Sequence, residues 1–340
     1  MRITICGGGN LGHVCAGFLS AQNGNQVSLL TRKPDLWSNH IKIIDCRGHV
    51  FHGKLAHISD CADEVIPNAE LVLICLPGFA IEDELKRIAP YLSQSCLVGS
   101  VVSSSGFFFS AFEQLSTTQP LFGFQRVPFI SRITQYGREA ELKGYKDSLS
   151  VAIEHTTDRE TVREILERLF LTPVKLLSSH YEASLSNSNP LLHTSRLYTL
   201  WHNWEPGVSY KRNPGFYSEW TKEASELYIA MDKEFQRLLN KLGLAEGCIS
   251  SVLEYYECSD ADALTKKIRS IPAFQGILSP MVSDKSGMYV PDFTSRYFTE
   301  DFPYGLRFIV ERGEALNVDM PKSKNVYLWG LRCLLFERQI

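Results

Sequence analysis

Apolar positions along the first half of the chain recur with two periods, and the two alternate. Residues 3–6 form a short apolar run, after which Leu11, Val14, Cys15, Phe18 and Leu19 return at helical spacing. Residues 26–30 read as a second strand. Residues 70–76 and 96–102 are almost continuously apolar, as expected of strands covered on both faces. Ile81, Leu85, Ile88 and Leu92 mark one side of an amphipathic helix over 81–92, and 107–115 read as another helix. Residues 120–129, 140–142, 148–153 and 174–177 read as further strands. Residues 158–170 read as a helix with Asp158 as its N-cap. The alternation predicts an α/β fold whose N-terminal part is a doubly wound parallel sheet with right-handed β-α-β crossovers.

After about Ser178 the strand pattern stops. Residues 181–204 and 218–242 are long and helical in pattern, with a Gly/Pro-containing loop over 206–214 between them; 250–256 and 260–270 are shorter helices. Two domains follow: 1–178 around the sheet, and 179–340 as an all-helical C-terminal domain.

Between the first strand and the first helix lies Gly7-Gly8-Gly9-Asn10-Leu11-Gly12, a G-x-G-x-x-G loop in the strand-loop-helix setting that a Rossmann dinucleotide site requires. Gly7 serves the tight turn. Gly9 lets a pyrophosphate approach the backbone, and Gly12 lets the helix pack close to the strand. Asn10 and Leu11 open a helix whose free N–H groups and dipole favour phosphate. The second strand runs into Leu30-Thr31-Arg32-Lys33, where an NAD site usually carries an acidic residue; none appears before Asp35. Arg32 and Lys33 suit a ribose 2′-phosphate, which favours NADP over NAD. The alternative is that both are solvated charges.

Composition narrows the picture by exclusion. With 340 residues, 44% hydrophobic and 21% charged, the chain has material for two packed cores. A formal net charge of -3 suggests neither nucleic acid nor an anionic membrane as partner. No apolar run reaches the roughly 20 residues of a bilayer span, and Met1 leads directly into the first strand, so a cytoplasmic protein is expected. The nine cysteines include no C-x-x-C pair and read as reduced thiols. No metal signature is visible. His40, His49, His52 and His57 gather around an expected hairpin without metal-ligand spacing.

The second half carries segments that resemble the opine dehydrogenase family. Asn187-Ser188-Asn189-Pro190-Leu191-Leu192-His193-Thr194 is similar to its Asn-x-Asn…His segment. Arg296-Tyr297-Phe298-Thr299-Glu300-Asp301-Phe302-Pro303-Tyr304-Gly305 resembles its Arg-Tyr-x-Thr-Glu-Asp-x-Pro-x-Gly stretch, the most specific part of the match. Leu253-Glu254-Tyr255-Tyr256 is similar to another segment. So are Phe124-Gln125-Arg126-Val127-Pro128-Phe129, Arg132-Ile133 and Tyr136-Gly137-Arg138 in the first domain.

The resemblance implies an NAD(P)H-dependent oxidoreductase that condenses an α-keto acid with an amino acid or amine and reduces the imine. It implies a Rossmann domain followed by a helical domain, with the substrates between them. His193 falls on the family's catalytic histidine and Asp301 on the acid that orients it. Arg296 falls on an arginine for cofactor phosphates or a substrate carboxylate. These residue types suit the chemistry: histidine titrates near neutral pH, a carboxylate fixes its tautomer, and arginine grips carboxylates in a bidentate fork. A histidine on an apolar helix is otherwise a core residue, Asp301 a turn residue and Arg296 a surface charge.

Two positions depart from the family. Ser104-Ser105-Gly106-Phe107 stands where Gln-Ala-Gly-Phe helps to hold the keto acid, and Ser104 is a shorter substitute. Arg126 adds a positive charge where the family has Glu-Thr-Leu-Pro, and suits an additional substrate carboxylate. A ketopantoate- or hydroxyacid-type reductase is the alternative, although that family relies on a lysine where this chain offers His193. A catalytically silent nucleotide sensor is a third reading. The expected partners are small molecules only, and the expected state is a monomer or homodimer.

Overall fold

The computed structural model describes residues 1–337, which divide into two compact units, Met1–Ser186 and a second that begins at Asn187. In the first, β1 (Arg2–Cys6), α1 (Asn10–Ser20), β2 (Gln26–Leu30), β3 (His40–Asp45), β4 (Val50–Ser59), α2 (Ala62–Val65), β5 (Leu71–Ile74), α3 (Gly78–Ile88), β6 (Leu97–Ser100) and α4 (Phe107–Gln114) follow in order. Then come β7 (Leu121–Phe124), β8 (Phe129–Gln135), β9 (Glu139–Tyr145), β10 (Leu149–Glu154), α5 (Arg159–Phe170), β11 (Val174–Leu176) and α6 (His180–Leu185).

The described strands build one sheet in the order β11-β10-β7-β6-β5-β1-β2-β4-β3-β9-β8. Its centre is parallel, as the β-α alternation predicts: β1 pairs with β2 and β5, and β6 with β5 and β7. The flanks are mixed. Strand β10 runs antiparallel to β7, while the hairpins β3–β4 and β8–β9 extend the other side. Alternation assigns side chains to two cores. Ile3 and Ile5 pack with Val14 and Phe18 of α1; Cys6, Val72 and Ile74 pack on the opposite face with Ile81 and Leu85 of α3. Each such buried aliphatic side chain contributes about 1.5–3 kcal/mol.

Two sequence expectations shift here. The single strand over 120–129 is two, because Pro128 cannot donate a ladder hydrogen bond and the chain leaves β7 before it. Strand β8 then lies at the sheet's edge. Only Phe129 among its residues is buried, so its pattern is too polar to stand out. The boundary expected near Ser178 comes before α6, which packs with α4, β7 and β10 in the first unit.

The second unit holds α7 (Asn189–Trp201), α8 (Lys222–Lys241), α9 (Val252–Tyr255), α10 (Ala261–Ser270), β12 (Met281–Ser283), β13 (Tyr289–Pro291), α11 (Arg296–Thr299), α12 (Arg307–Ala315) and α13 (Pro321–Glu337). The helix expected over 181–204 is interrupted at 186–188. A proline in a helix interior would remove a hydrogen bond and clash, so the chain restarts with Pro190 in the first turn of α7. Side-chain caps set the other starts: Thr221 accepts from the Ala224 N–H at 3.2 Å and Asp260 from Ala263 at 2.8 Å. Glu254 completes a capping box with Ser251, which gives the family-like 253–256 segment a structural job. The helical unit also contains one short hairpin, β12–β13, closed by Asp284 and by Gly287 at φ 79°. The buried Glu234 carboxylate of α8 accepts the Lys322 and Ser323 N–H groups, both at 2.8 Å, and so holds the start of α13. No helix among the described residues is long and apolar enough to cross a membrane.

Candidate functional sites in the two units

In the first unit the glycine loop is shaped by backbone. Gly7 sits at φ 115°, and a side chain there would meet the Cys75 carbonyl at 2.6 Å. A Cβ at Gly12 would collide with the Gly7 carbonyl, so this glycine sets how closely α1 packs on the loop. A Cβ at Gly9 would meet nothing within 4 Å: that side of the loop is open. Gly7, Gly8 and Gly9 line a cleft of about 590 Å³ with Thr31, Arg32 and Lys33 at the end of β2, Cys75 to Pro77 after β5, Phe79 and Tyr136. Arg32 and Lys33 are exposed and form no ion pair among the described residues. An open glycine backbone at a helix start, beside two cations, fits a dinucleotide phosphate.

Three loop residues face elsewhere. Asn10 Oδ1 accepts the Ile133 N–H at 2.9 Å, which ties α1 to β8. The Leu11 side chain packs against the sheet core, and Gly12 is buried beneath the loop. Asn10 stays exposed at the helix start, whereas Leu11 and Gly12 can offer a cofactor little but backbone.

His13 was not singled out from the sequence, yet it braces the loop. The Gly137 N–H donates to its Nε2 at 2.7 Å, so Nδ1 carries the proton and donates to the Gly9 carbonyl at 3.0 Å. Burial lowers its pKa and keeps the ring neutral. Trp37 and Tyr136 pack on it, with centroids at 4.0 and 4.9 Å. No spacing rule announces this residue; Gly137 and Tyr136 of the β8–β9 turn, and Trp37 before β3, reach it from remote segments.

Ser104 is half-buried in the turn before α4, and the exposed Arg126 donates to the Ser186 carbonyl at 3.0 Å. Neither lines the glycine cleft. The four histidines of residues 40–57 lie on or beside the β3–β4 hairpin: His49 pairs with Asp45 and His57 with Glu64, each at 3.0 Å. Among the described residues no three His, Cys, Asp or Glu side chains group as metal ligands.

In the second unit a pair predicted from distant segments meets. His193 Nδ1 lies 2.8 Å from Asp301 Oδ2, and both side chains are largely buried. The other ring nitrogen, Nε2, lies 2.8 Å from the Tyr217 hydroxyl. Tyr297 packs edge-on to the imidazole at 4.7 Å, and Phe216 lies at 5.8 Å. Burial, and then Tyr297, Tyr256 and Asp301, push the Tyr217 phenol well above its ordinary pKa, so it stays a neutral hydroxyl. Burial likewise raises the carboxyl of Glu300. Arg296 does not join this group. Its side chain is 86% exposed and, among the described residues, forms an ion pair only with Glu300, at 3.8 Å.

The geometry therefore offers a nucleotide-shaped cleft in an α/β unit and an oriented histidine in a helical one, the parts of an NAD(P)-dependent dehydrogenase. Comparison with known proteins agrees. Residues 176–333 match the family described as NAD/NADP octopine/nopaline dehydrogenase, alpha-helical domain, and residues 3–102 match ketopantoate reductase PanE/ApbA. Octopine dehydrogenase of Mizuhopecten yessoensis is 26% identical over 97% of this chain and 89% of its own length. Opine dehydrogenase of Haliotis discus hannai is 24% identical with the same coverage. The fold is shared with the structure of octopine dehydrogenase with NADH and L-arginine, at a TM-score of 0.85 and 24% identity over 98% of this chain and 89% of that one. The helical half of this chain matches the octopine/nopaline dehydrogenase family, the whole chain is similar to opine dehydrogenases, and the protein is an oxidoreductase of the NAD(P) type.

Proposed function

We propose that this protein condenses an α-keto acid with an amino acid or another amine and reduces the product, with NADPH preferred to NADH. One observation carries the reading: His193 and Asp301, 108 residues apart in sequence, meet through a 2.8 Å hydrogen bond in the helical unit. Condensation expels water and forms an imine, and reduction needs a hydride at carbon and a proton at nitrogen. The nicotinamide, when bound, supplies the hydride. His193 moves the protons, and Asp301 fixes the tautomer and stabilises the charged ring. Arg296, with its guanidinium in solvent, is available to a cofactor phosphate or a substrate carboxylate. Ser104 and Arg126 are the proposed keto-acid contacts of the first unit.

The preference for NADPH rests on Arg32 and Lys33, exposed beside the glycine loop and without ion pairs among the described residues. Gly9, Asn10 and Leu11 offer the phosphates their backbone N–H groups, while Gly7, whose own N–H is given to the Leu30 carbonyl at 3.0 Å, and the buried Gly12 set the shape of the loop. The same reading has the protein working in the cytoplasm as a monomer or homodimer, a compartment that suits cysteines held outside disulfides.

The test is oxidation of NADPH and of NADH by the purified protein, with a keto acid, in the presence and absence of a panel of amino acids and amines. Oxidation that needs both substrates and collapses in His193→Ala supports the reading. Oxidation by a keto acid alone would replace it with the ketone reductase, to which the similarity of residues 3–102 also points.

A further inference from the structure

We infer that Tyr217 is a positioning residue for His193: its hydroxyl holds the imidazole in one tautomer and completes an Asp301–His193–Tyr217 chain. The inference deepens the proposed reaction and rests on it. With the Nδ1 proton given to Asp301, Nε2 keeps its lone pair, and the Tyr217 hydroxyl stands 2.8 Å from it. A neutral phenol donates there. The lone pair is thereby held on one line, and the Tyr217 hydroxyl must swing off it or pass the proton on when His193 takes or returns one.

The surroundings fix that hydroxyl. Phe274 stacks on the Tyr217 ring with centroids 4.0 Å apart and planes within 16°. The turn that carries Tyr217 is tied to the helix that carries His193. Arg196, one turn further along α7, donates Nε to the Phe216 carbonyl at 3.0 Å and Nη2 to the Glu219 carbonyl at 2.7 Å. Arg196 is 2% exposed, and burial lowers its pKa to about 10. A buried guanidinium spent on backbone carbonyls is costly. Its effect here is to reference the Tyr217 turn and the His193 imidazole to the same length of helix. In general acid–base chemistry, small misplacements of the proton-transferring group cost rate directly.

The experiment uses the full chain labelled with nitrogen-15 histidine, with His193 assigned by its loss in His193→Ala. In Tyr217→Phe the ring and its stacking remain and only the hydroxyl goes. The expected result is that the Nε2 resonance moves toward that of an unbonded lone pair and that kcat falls about tenfold, with KM for both substrates unchanged. Arg196→Lys, which loosens the turn and keeps the phenol, shifts the same resonance in the same direction. An Nε2 resonance unmoved in both folded variants overturns the inference, as does a loss confined to KM. The two failures separate. A wild type that turns over no keto acid with any amine removes the reaction, while the nitrogen-15 spectra still decide whether Tyr217 holds the ring.

Discussion

The two units hold their functional groups by opposite means. In the first, the frame is backbone. Gly7 at φ 115°, Gly9 with open space where a side chain would stand, and Gly12 under the Gly7 carbonyl make the floor of the cleft within six residues. In the second, the site is made of side chains from three separate segments: His193 on α7, Tyr217 in the turn before α8, and Asp301 after α11. A backbone site demands a particular residue type at fixed local offsets. A side-chain site demands only that long-range packing deliver the groups, and many local sequences would serve.

Substitutions in either unit put that contrast at risk. The largest expected effect is on chemistry alone. His193→Ala should lower kcat about a thousandfold, while cofactor affinity, followed by fluorescence titration, stays at the wild-type value. Loss of cofactor binding in this variant would break the comparison, because the side-chain site would then be shaping the backbone one. The reverse substitution is Gly12→Val. Its Cβ falls on the Gly7 carbonyl, so the loop must shift and cofactor binding should weaken about a hundredfold. The His193–Asp301 pair, read by the same nitrogen-15 labels, should not change.

This contrast also explains what the sequence exposed. The parallel centre of the sheet was legible from apolar runs such as 71–74, buried at every position, because two-sided burial leaves few residue types available. The glycine loop was legible from spacing. The edge strand β8 was not, since a strand with one buried residue carries little periodic signal. His193 and Asp301 were legible only through the family resemblance; no rule of spacing joins residues so far apart. Tyr217 and His13 were not found at all. Each gains its role from a partner on a remote segment, the His193 ring for one and the Gly137 N–H for the other. The interruption of 181–204 could have been read, since Pro190 sits in the middle of that span.

A smaller effect sharpens the first unit's part in cofactor choice. Arg32→Ala combined with Lys33→Ala should weaken NADPH about fiftyfold and leave NADH nearly unchanged, through loss of charge-assisted hydrogen bonds to the 2′-phosphate. Isothermal titration with each cofactor measures it. Equal losses for both would mean that these cations serve the pyrophosphate or only the general field of the cleft.

The smallest effect concerns stability, and here the units should respond to acid with opposite sign. Burial alone would raise the Asp45 carboxyl. The N–H groups of His49 and Arg47, each at 2.8 Å, the His49 ring and the Tyr145 hydroxyl at 3.0 Å outweigh it and hold the pKa at about 2. A carboxyl lower in the folded than in the unfolded chain stabilises fully above its unfolded pKa. That contribution, about 2 kcal/mol, drains away as pH falls toward 2. In the second unit Asp232 goes the other way. Burial raises its pKa despite the Val252 N–H at 3.0 Å, so its contribution is present in acid and lost as pH rises. Asp45→Asn should therefore lower the urea midpoint at pH 7 and flatten its decline between about pH 5 and pH 2. Asp232→Asn should leave that acid decline in place. If Asp45→Asn keeps the wild-type decline, the turn between β3 and β4 is not what acid attacks, and the side chains that matter to the first unit's stability lie elsewhere in its sheet.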